Sequence, residues 1–251
     1  RSDKLPQYLL THPDPEARLQ YIQSLMDIDQ ASINNTANAA GDFNFLRCKY
    51  RILADLRDTE TFKNYLATVV ADSRATDFAK TMAYYGLSQV ARNENDFAKS
   101  MELLLKVTNF FPDRNILKVD KGVLEFASGN FEEAEKTLRA ALQADNSDLY
   151  AAFTLAKLLA RTGKSAEAER YFQTVGFHLP EYAQVYFELG QIATENKQYG
   201  LAALYLAKFD LYSGKMKLAE QSLKNSLRDK TLPDKGKIEA KMLLKKIEEL
   251  K

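Results

Sequence analysis

The chain has 251 residues, of which 45% are hydrophobic and 27% are charged, an ordinary composition for a globular protein. Its formal net charge of +1 excludes a global field that recruits nucleic acid or membranes, and its one cysteine, Cys48, excludes an intrachain disulfide. With only 10 Gly and 6 Pro, the composition favours helix over sheet.

Residues 1–41 are predicted to form a loop, a helix and a linker. Asp14 can cap a helix that has Pro15 in its first turn. One apolar face of this helix is formed by Leu19, Ile22 and Met26. No signal peptide is visible, and since the chain starts at Arg1 rather than Met, we expect it to be a piece of a longer protein.

Residues 42–80 are predicted to form a helical hairpin that resembles a degenerate repeat. The apolar face of its first helix consists of Phe43, Leu46, Tyr50 and Leu53. The second helix presents Leu66, Val69 and Val70. This hairpin precedes a region of regular repeats.

An internal repeat runs through residues 81–216. Four small residues recur at one fixed spacing, namely Ser100, Ala134, Ala168 and Ala202. Three positions before each of them stand Phe97, Phe131, Ser165 and Tyr199. The period is that of the tetratricopeptide repeat (TPR), a pair of antiparallel helices. It divides this region into four repeats, residues 81–114, 115–148, 149–182 and 183–216.

Two further positions of each repeat agree with the TPR pattern. The first helices should approach their partners closely at the small residues Ser88, Gly122, Ala156 and Gly190. The second helices should bury the large apolar residues Leu104, Leu138, Phe172 and Leu206. The sequence therefore predicts an all-α, TPR-type solenoid, a right-handed superhelix.

Residues 217–251 are predicted to form a half repeat and a C-terminal capping helix. The pattern of the helix at 199–212 recurs half a period later, so that helix should serve two repeats at once. The last helix should turn Ile238, Met242, Leu243 and Ile247 inward. Residues 214–251 contain 11 Lys/Arg and 6 Asp/Glu, an excess of five positive charges that we assign to a solvated cap.

Binding residues are expected on the first helix of each repeat, because these helices line the concave face of a TPR stack. The second, fifth, ninth and twelfth positions should point into the groove. They are Met82, Tyr85, Gln89 and Arg92; Ile116, Val119, Val123 and Phe126; Tyr150, Phe153, Lys157 and Ala160; and Gln184, Phe187, Gln191 and Thr194. We expect proteins or peptides as partners.

The second repeat leaves two interpretations open. Its groove positions are apolar, whereas Lys118, Lys121 and Glu125 occupy positions that are normally buried. Either this helix is shifted and the apolar stripe is ordinary core, or the groove has an apolar floor that a peptide, a partner or another domain covers. The second interpretation is slightly favoured.

One short motif near the start resembles a known family. In "LLTHPDPEAR", His12, Pro13, Pro15 and Arg18 match the His-Pro-x-Pro-x-x-Arg signature that follows the catalytic core in BepA-like periplasmic zinc metallopeptidases. That family continues into TPR repeats, and its end is similar to "LAKFDLYSGKMKLAEQSLKNSL". The resemblance implies a periplasmic location and a role in outer-membrane protein assembly and quality control. It also implies that His12 approaches zinc in the intact protein.

The metallopeptidase core itself does not occur in this chain. Such a site needs His-Glu-x-x-His on a helix, whereas the only histidines here are His12 and His178, and neither lies in that motif. His178 is expected to be a surface or packing residue. The leading hypothesis is a partner-recruiting TPR region of a zinc metallopeptidase; the alternatives are a freestanding TPR adaptor and a region of another enzyme.

Overall fold

The computed structural model describes residues 39–56 and 59–249, and this part of the chain is helical without strands. Most of the segment predicted before the repeats, including His12 and the helix after Asp14, lies outside the described residues. The helices are α1 (Ala39–Ala54), α2 (Thr59–Ala71), α3 (Asp77–Asn93), α4 (Phe97–Phe110), α5 (Asn115–Ala127), α6 (Phe131–Ala144), α7 (Leu149–Arg161), α8 (Ser165–His178), α9 (Ala183–Glu195), α10 (Tyr199–Tyr212), α11 (Met216–Arg228) and α12 (Asp234–Glu249).

The turns inside the repeats share one conformation that recurs with the sequence period. Each has one residue with positive φ, at Asn95, Gly129, Gly163 and Lys197, spaced one full period apart. The next residue donates its backbone N–H to a carbonyl five positions earlier, as Asn130 does to Glu125. Gly214 adopts the same conformation half a period after Lys197, so the turn from α10 to α11 repeats the motif early.

Small residues let the two helices of each repeat pack closely. A Cβ added to Gly122 in α5 would lie 2.7 Å from Cγ of Leu138 in α6, so no larger residue fits there without movement. At the same position of the first repeat, the Ser88 hydroxyl donates to the carbonyl of Ser100, and the Ser100 hydroxyl donates to the carbonyl of Ser88. These two polar side chains are buried at no loss of hydrogen bonds.

Helix α10 packs against α9 on one side and α11 on the other, as its predicted double role requires. Tyr205 and Phe209 pack toward α9, whereas Leu204 and Ala207 contribute to a separate apolar cluster with α11 and α12. The predicted burial of Leu206 is wrong, because its side chain is 46% exposed. The physical reason is a rotation of α10: Gly190 faces Tyr205, whereas the equivalent Gly122 faces Leu138, the counterpart of Leu206.

The final helix also presents a different face from the predicted one. Ile247 is buried and Leu243 is half-buried, as expected, but Ile238 and Met242 are 62% and 68% exposed. Gly236 and Ala240 are buried instead, and Gly236 lies against Leu232 and Leu204. Gly236 and Ala240 lie on the buried face because their small size allows α12 to approach the end of the solenoid closely.

None of the described helices is long and apolar enough to span a membrane.

Candidate binding surface on the concave face

Helix α1 runs alongside α3 rather than pairing with α2. The ring of Phe43, near the start of α1, lies 4.9 Å from the ring of Phe111, which also contacts Phe78 at the start of α3. At the other end, the side-chain amide of Asn93 donates to the carbonyl of Ala54 over 2.8 Å. The two helices are therefore parallel, start beside start and end beside end.

A buried ionic cluster joins α1 to three successive repeats. Asp120 in α5 accepts hydrogen bonds from Nε and Nη2 of Arg47 at 2.8 and 2.7 Å and from Nη1 of Arg51 at 2.8 Å. The Tyr85 hydroxyl in α3 donates to the same carboxylate over 3.1 Å. Nη2 of Arg51 donates to the Tyr150 hydroxyl in α7, and its guanidinium lies 4.6 Å from that ring centroid. Through this cluster, helix α1 contacts the first helices of all three repeats.

The charges in this cluster compensate one another. Burial lowers the pKa of Arg47, but its hydrogen bond to Asp120 and the attraction of that carboxylate outweigh burial, so the net pKa is raised. Burial, followed by the negative charge of Asp120, raises the pKa of Tyr85 well above its usual value. The Asp120 side chain is 3% exposed, and such a buried carboxylate is tolerable only with paired donors.

Four of the residues predicted to line the groove are buried. Tyr85 and Gln89 are at most 3% exposed, and they share one face of α3 with Asn93, which contacts α1. Val119 is fully buried in the apolar cluster that extends from α5 to α9. Its neighbour Asp120 contacts α1, so the apolar stripe of the second repeat is core at Val119, whereas Val123 and Phe126 stay half-buried. Met82, named for the same face, is also buried.

The remaining predicted groove residues retain exposed surface. Val123, Phe126 and Lys157 line a cleft of about 710 Å³ beside the ends of α1 and α3, together with Arg92. Ile116, Tyr150 and Phe153 are half-buried. The Phe153 ring contacts Phe172 and Tyr182 at 5.6 and 5.2 Å between centroids, so it supports the core while keeping an exposed edge.

A second cleft, of about 520 Å³, opens between α9 and α10. Its lining includes Phe187, Gln191 and Thr194, which were predicted to point into the groove. It also includes Leu206, which sequence reasoning assigned to the core. The composition of α10 indicates that some of its apolar residues stay exposed. This helix is apolar around most of its circumference and so has more apolar surface than one core can bury. Phe187 is 39% exposed here, and its ring lies 5.5 Å from Phe209.

The described residues contain no group of three or more His, Cys, Asp or Glu side chains that could hold a metal ion. His178 is exposed at the end of α8, where its ring lies edge-on to Phe177. The predicted zinc-facing residue, His12, lies outside the described part of the chain.

Comparisons with known proteins find TPR repeats in the middle of the chain. Two family models described as tetratricopeptide repeat match residues 85–149 and 125–186. No curated protein sequence matches. Together with the helix pairs, the family matches confirm the predicted fold class, an all-α solenoid of TPR repeats. The metallopeptidase family is not among these matches.

Solved structures with a similar fold have low sequence identity. The crystal structure of MamA protein is 19% identical, with a TM-score of 0.48, over 67% of this chain and 92% of that one. YrrB, titled a TPR protein with an unusual peptide-binding site, is 20% identical, with a TM-score of 0.48, over 70% of this chain and 90% of that one. A tetratricopeptide repeat protein from Parabacteroides merdae is 14% identical, with a TM-score of 0.48, over 90% of each chain.

Proposed function

We propose that the chain binds proteins or peptides on the part of its concave face that α1 leaves open. The observation that carries this proposal is the cleft between α9 and α10, where Phe187 and Leu206 expose large apolar side chains on the groove side. An apolar cleft in a helical groove receives the apolar side chains of a bound segment. TPR repeats generally bind proteins or peptides, which agrees with this use of the surface.

The open face combines apolar anchors with few charges. Phe126 and Phe153 present exposed edges, and the ammonium of Lys157 lies 5.9 Å from the Phe153 ring centroid. Among the described residues, Lys157 has no carboxylate within ion-pair distance, so it is available to a carboxylate or carbonyl of the ligand. Gln191 and Thr194 supply hydrogen-bonding groups at the rim of the second cleft. Apolar contacts then provide affinity, while these polar groups orient the ligand.

Selection from a displayed library of random peptides on the immobilised chain tests this proposal. Enriched peptides should lose affinity when Phe187→Ala is introduced. Phe177→Ala is the matched control, because that phenylalanine is 81% exposed at the end of α8 and does not line either cleft. Failure to enrich any peptide, or equal losses with the two variants, would contradict binding on this face.

The resemblance of His12, Pro13, Pro15 and Arg18 supports a finer proposal. In it, the chain is the TPR region of a periplasmic zinc metallopeptidase and recruits substrates or partners in outer-membrane protein quality control. Zinc then belongs to a catalytic core outside this chain, with His12 approaching it, and that core is a further candidate occupant of the groove. A His-Glu-x-x-His motif upstream of Arg1 in the parent gene is the decisive observation.

A freestanding TPR adaptor is the second candidate function. The matches to TPR repeats alone are equally compatible with it. If the parent gene encodes nothing but repeats around this chain, the adaptor replaces the metallopeptidase proposal. A different enzyme upstream of Arg1 would replace it as well. In each case the binding role of the concave face is unaffected.

A further inference from the structure

Helix α12 has apolar residues on two opposite sides, but only one side has a neighbour. Gly236, Ala240 and Ile247 are buried against α11 and the end of α10. Ile238 and Met242, one turn apart, project from the other side and are 62% and 68% exposed. A single exposed apolar side chain is ordinary, but a pair on one helical ridge opposite the buried face is a second apolar stripe.

Helix α10 shows what such a two-sided helix does in this protein. Its residues Tyr205 and Phe209 pack toward α9, whereas Leu204 and Ala207 pack toward α11 and α12. A helix with two apolar sides is thus placed between two neighbours. Helix α12 has the same property and lacks the second neighbour among the described residues.

Around the exposed ridge, the charges that have no ion-pair partner among the described residues are positive. The charged residues three or four positions from Ile238 and Met242 are Asp234, Lys235, Glu239, Lys241, Lys245 and Lys246. Glu239 is paired with Lys208 at 2.7 Å. Asp234 is paired with Lys237 at 3.0 Å, and Lys245 lies 3.8 Å from Glu249. Lys235, Lys241 and Lys246 have no carboxylate within 4 Å among the described residues.

The exposed apolar ridge and its unpaired lysines distinguish between the possible binding partners of this face of α12. A second copy that met this ridge in a symmetric dimer would place the lysines of one chain against those of the other, which is unfavourable. An anionic membrane would satisfy the lysines, but two apolar side chains are far less than the broad apolar face of a membrane-surface helix. An acidic helix satisfies both features, since its apolar side chains cover the ridge and its carboxylates meet the lysines.

We propose that the outer face of α12 docks an acidic amphipathic helix of a partner protein. This surface is at the end of the solenoid and is separate from the concave face. The ridge of Ile238 and Met242 supplies the apolar contact, and Lys235, Lys241 and Lys246 select against basic or neutral helices by charge.

The experiment uses the full chain and a displayed library of helices randomised on one face. Helices that bind should be enriched in Asp and Glu around apolar positions. Their affinity should fall about tenfold or more in the Ile238→Ser, Met242→Ser double variant, and also in Lys241→Glu. Phe177→Ser and Lys136→Glu, at exposed sites elsewhere, should leave it unchanged. Circular dichroism melts should show the same stability for all variants, because these side chains are exposed.

Several outcomes would overturn the proposal. Enriched helices that are neutral or basic, or that bind the double variant as tightly as the natural chain, exclude the charge and ridge assignments. Absence of any helix that depends on Ile238 excludes the docking face. Sedimentation that shows a dimer lost in the double variant assigns the ridge to a second copy. Binding to vesicles of anionic phospholipid that is lost in the same variant assigns it to a membrane. None of these outcomes bears on the concave face, which Phe187→Ala tests separately.

Discussion

Arg47 and Asp120 lie 73 positions apart in the sequence, yet they form a two-pronged ion pair with nitrogen–oxygen distances of 2.7 and 2.8 Å. The pair fixes α1 along the inner side of the repeats, with Arg51 extending the contact to Tyr150. Because α1 lies beside the face of α3 that carries Tyr85 and Asn93, this contact also sets where the open groove begins. Helix α1 is therefore part of the surface that determines which segment a partner can reach.

Replacing Asp120 by Ala should destabilise the fold strongly. The change leaves the guanidiniums of Arg47 and Arg51 without their buried carboxylate, and loss of one partner of a buried ion pair costs about 3–5 kcal/mol of unfolding free energy. Urea denaturation measures this. Glu94→Ala is the control, because Glu94 pairs with Lys63 at 2.9 Å on the surface and should cost less than about 1 kcal/mol. Equal small losses for both variants would mean that the cluster does not hold α1.

Gly122→Ala and Gly190→Ala should have opposite effects, although the two glycines occupy the same repeat position. A Cβ at residue 122 would lie 2.7 Å from Leu138, whereas at residue 190 the nearest atom is 3.6 Å away. Ala at 122 forces movement and should cost about 1–3 kcal/mol. Ala at 190 fits and should stabilise its helix by up to about 1 kcal/mol. Thermal melts that shift both variants downward alike would contradict the rotation of α10.

Much of this fold can be predicted because the same local sequence signals recur from repeat to repeat. Small residues at helix crossings and turns ending near Asn95, Gly129 and Gly163 are local signals, and the helix pairs follow from them. Leu206 and Ile238 were assigned to the wrong side. Their helices have apolar residues on more than one side, and periodicity alone does not say which side meets a neighbour.

The position of α1 could not be predicted from local pattern. Arg47 and Arg51 look like ordinary surface residues of an amphipathic helix, and Asp120 is one acidic residue among many. Their importance comes from a contact between distant parts of the sequence, which no spacing rule encodes. The same contact explains why Tyr85, which the repeat register places on the groove side, is buried: its hydroxyl donates to Asp120.

Alkaline pH should destabilise the chain through its buried tyrosines. Burial raises the pKa of Tyr50, Tyr186 and Tyr205 to about 12 each. Unfolded tyrosines ionise near pH 10, so between about pH 10 and 12 the unfolded state binds fewer protons than the folded one. Stability is fully present below about pH 10 and falls as the pH rises through this range.

Tyrosinate absorbance and urea midpoints followed over the same pH range test this. Tyr205→Phe should remove one late ionisation and make the fall in stability less steep. If every tyrosine of the folded chain ionised near pH 10, the burial of these three hydroxyls would be contradicted.

The chain by itself should neither bind zinc stoichiometrically nor cleave casein. It lacks the His-Glu-x-x-His motif, and its described residues offer no cluster of metal ligands. Elemental analysis of the purified chain, before and after treatment with a chelator, is the measurement. One tightly held zinc per chain would contradict the proposal that zinc belongs to a separate core.

Phe153 and Phe187 occupy the same groove position one repeat apart, and their substitution by Ala should separate core from binding surface. Phe153 packs on the fully buried Phe172 and on Tyr182, so Phe153→Ala should cost about 2–4 kcal/mol of stability. Phe187 is 39% exposed, so Phe187→Ala should cost about 1–2 kcal/mol of stability. Its loss should weaken binding of a groove ligand by about 1–3 kcal/mol, the range for an anchor side chain.

Binding is to be measured well below both melting temperatures, so that unfolding does not mimic a loss of affinity. If Phe187→Ala lowered stability as much as Phe153→Ala and left binding intact, Phe187 would be core and the proposed ligand would have to bind elsewhere on the concave face.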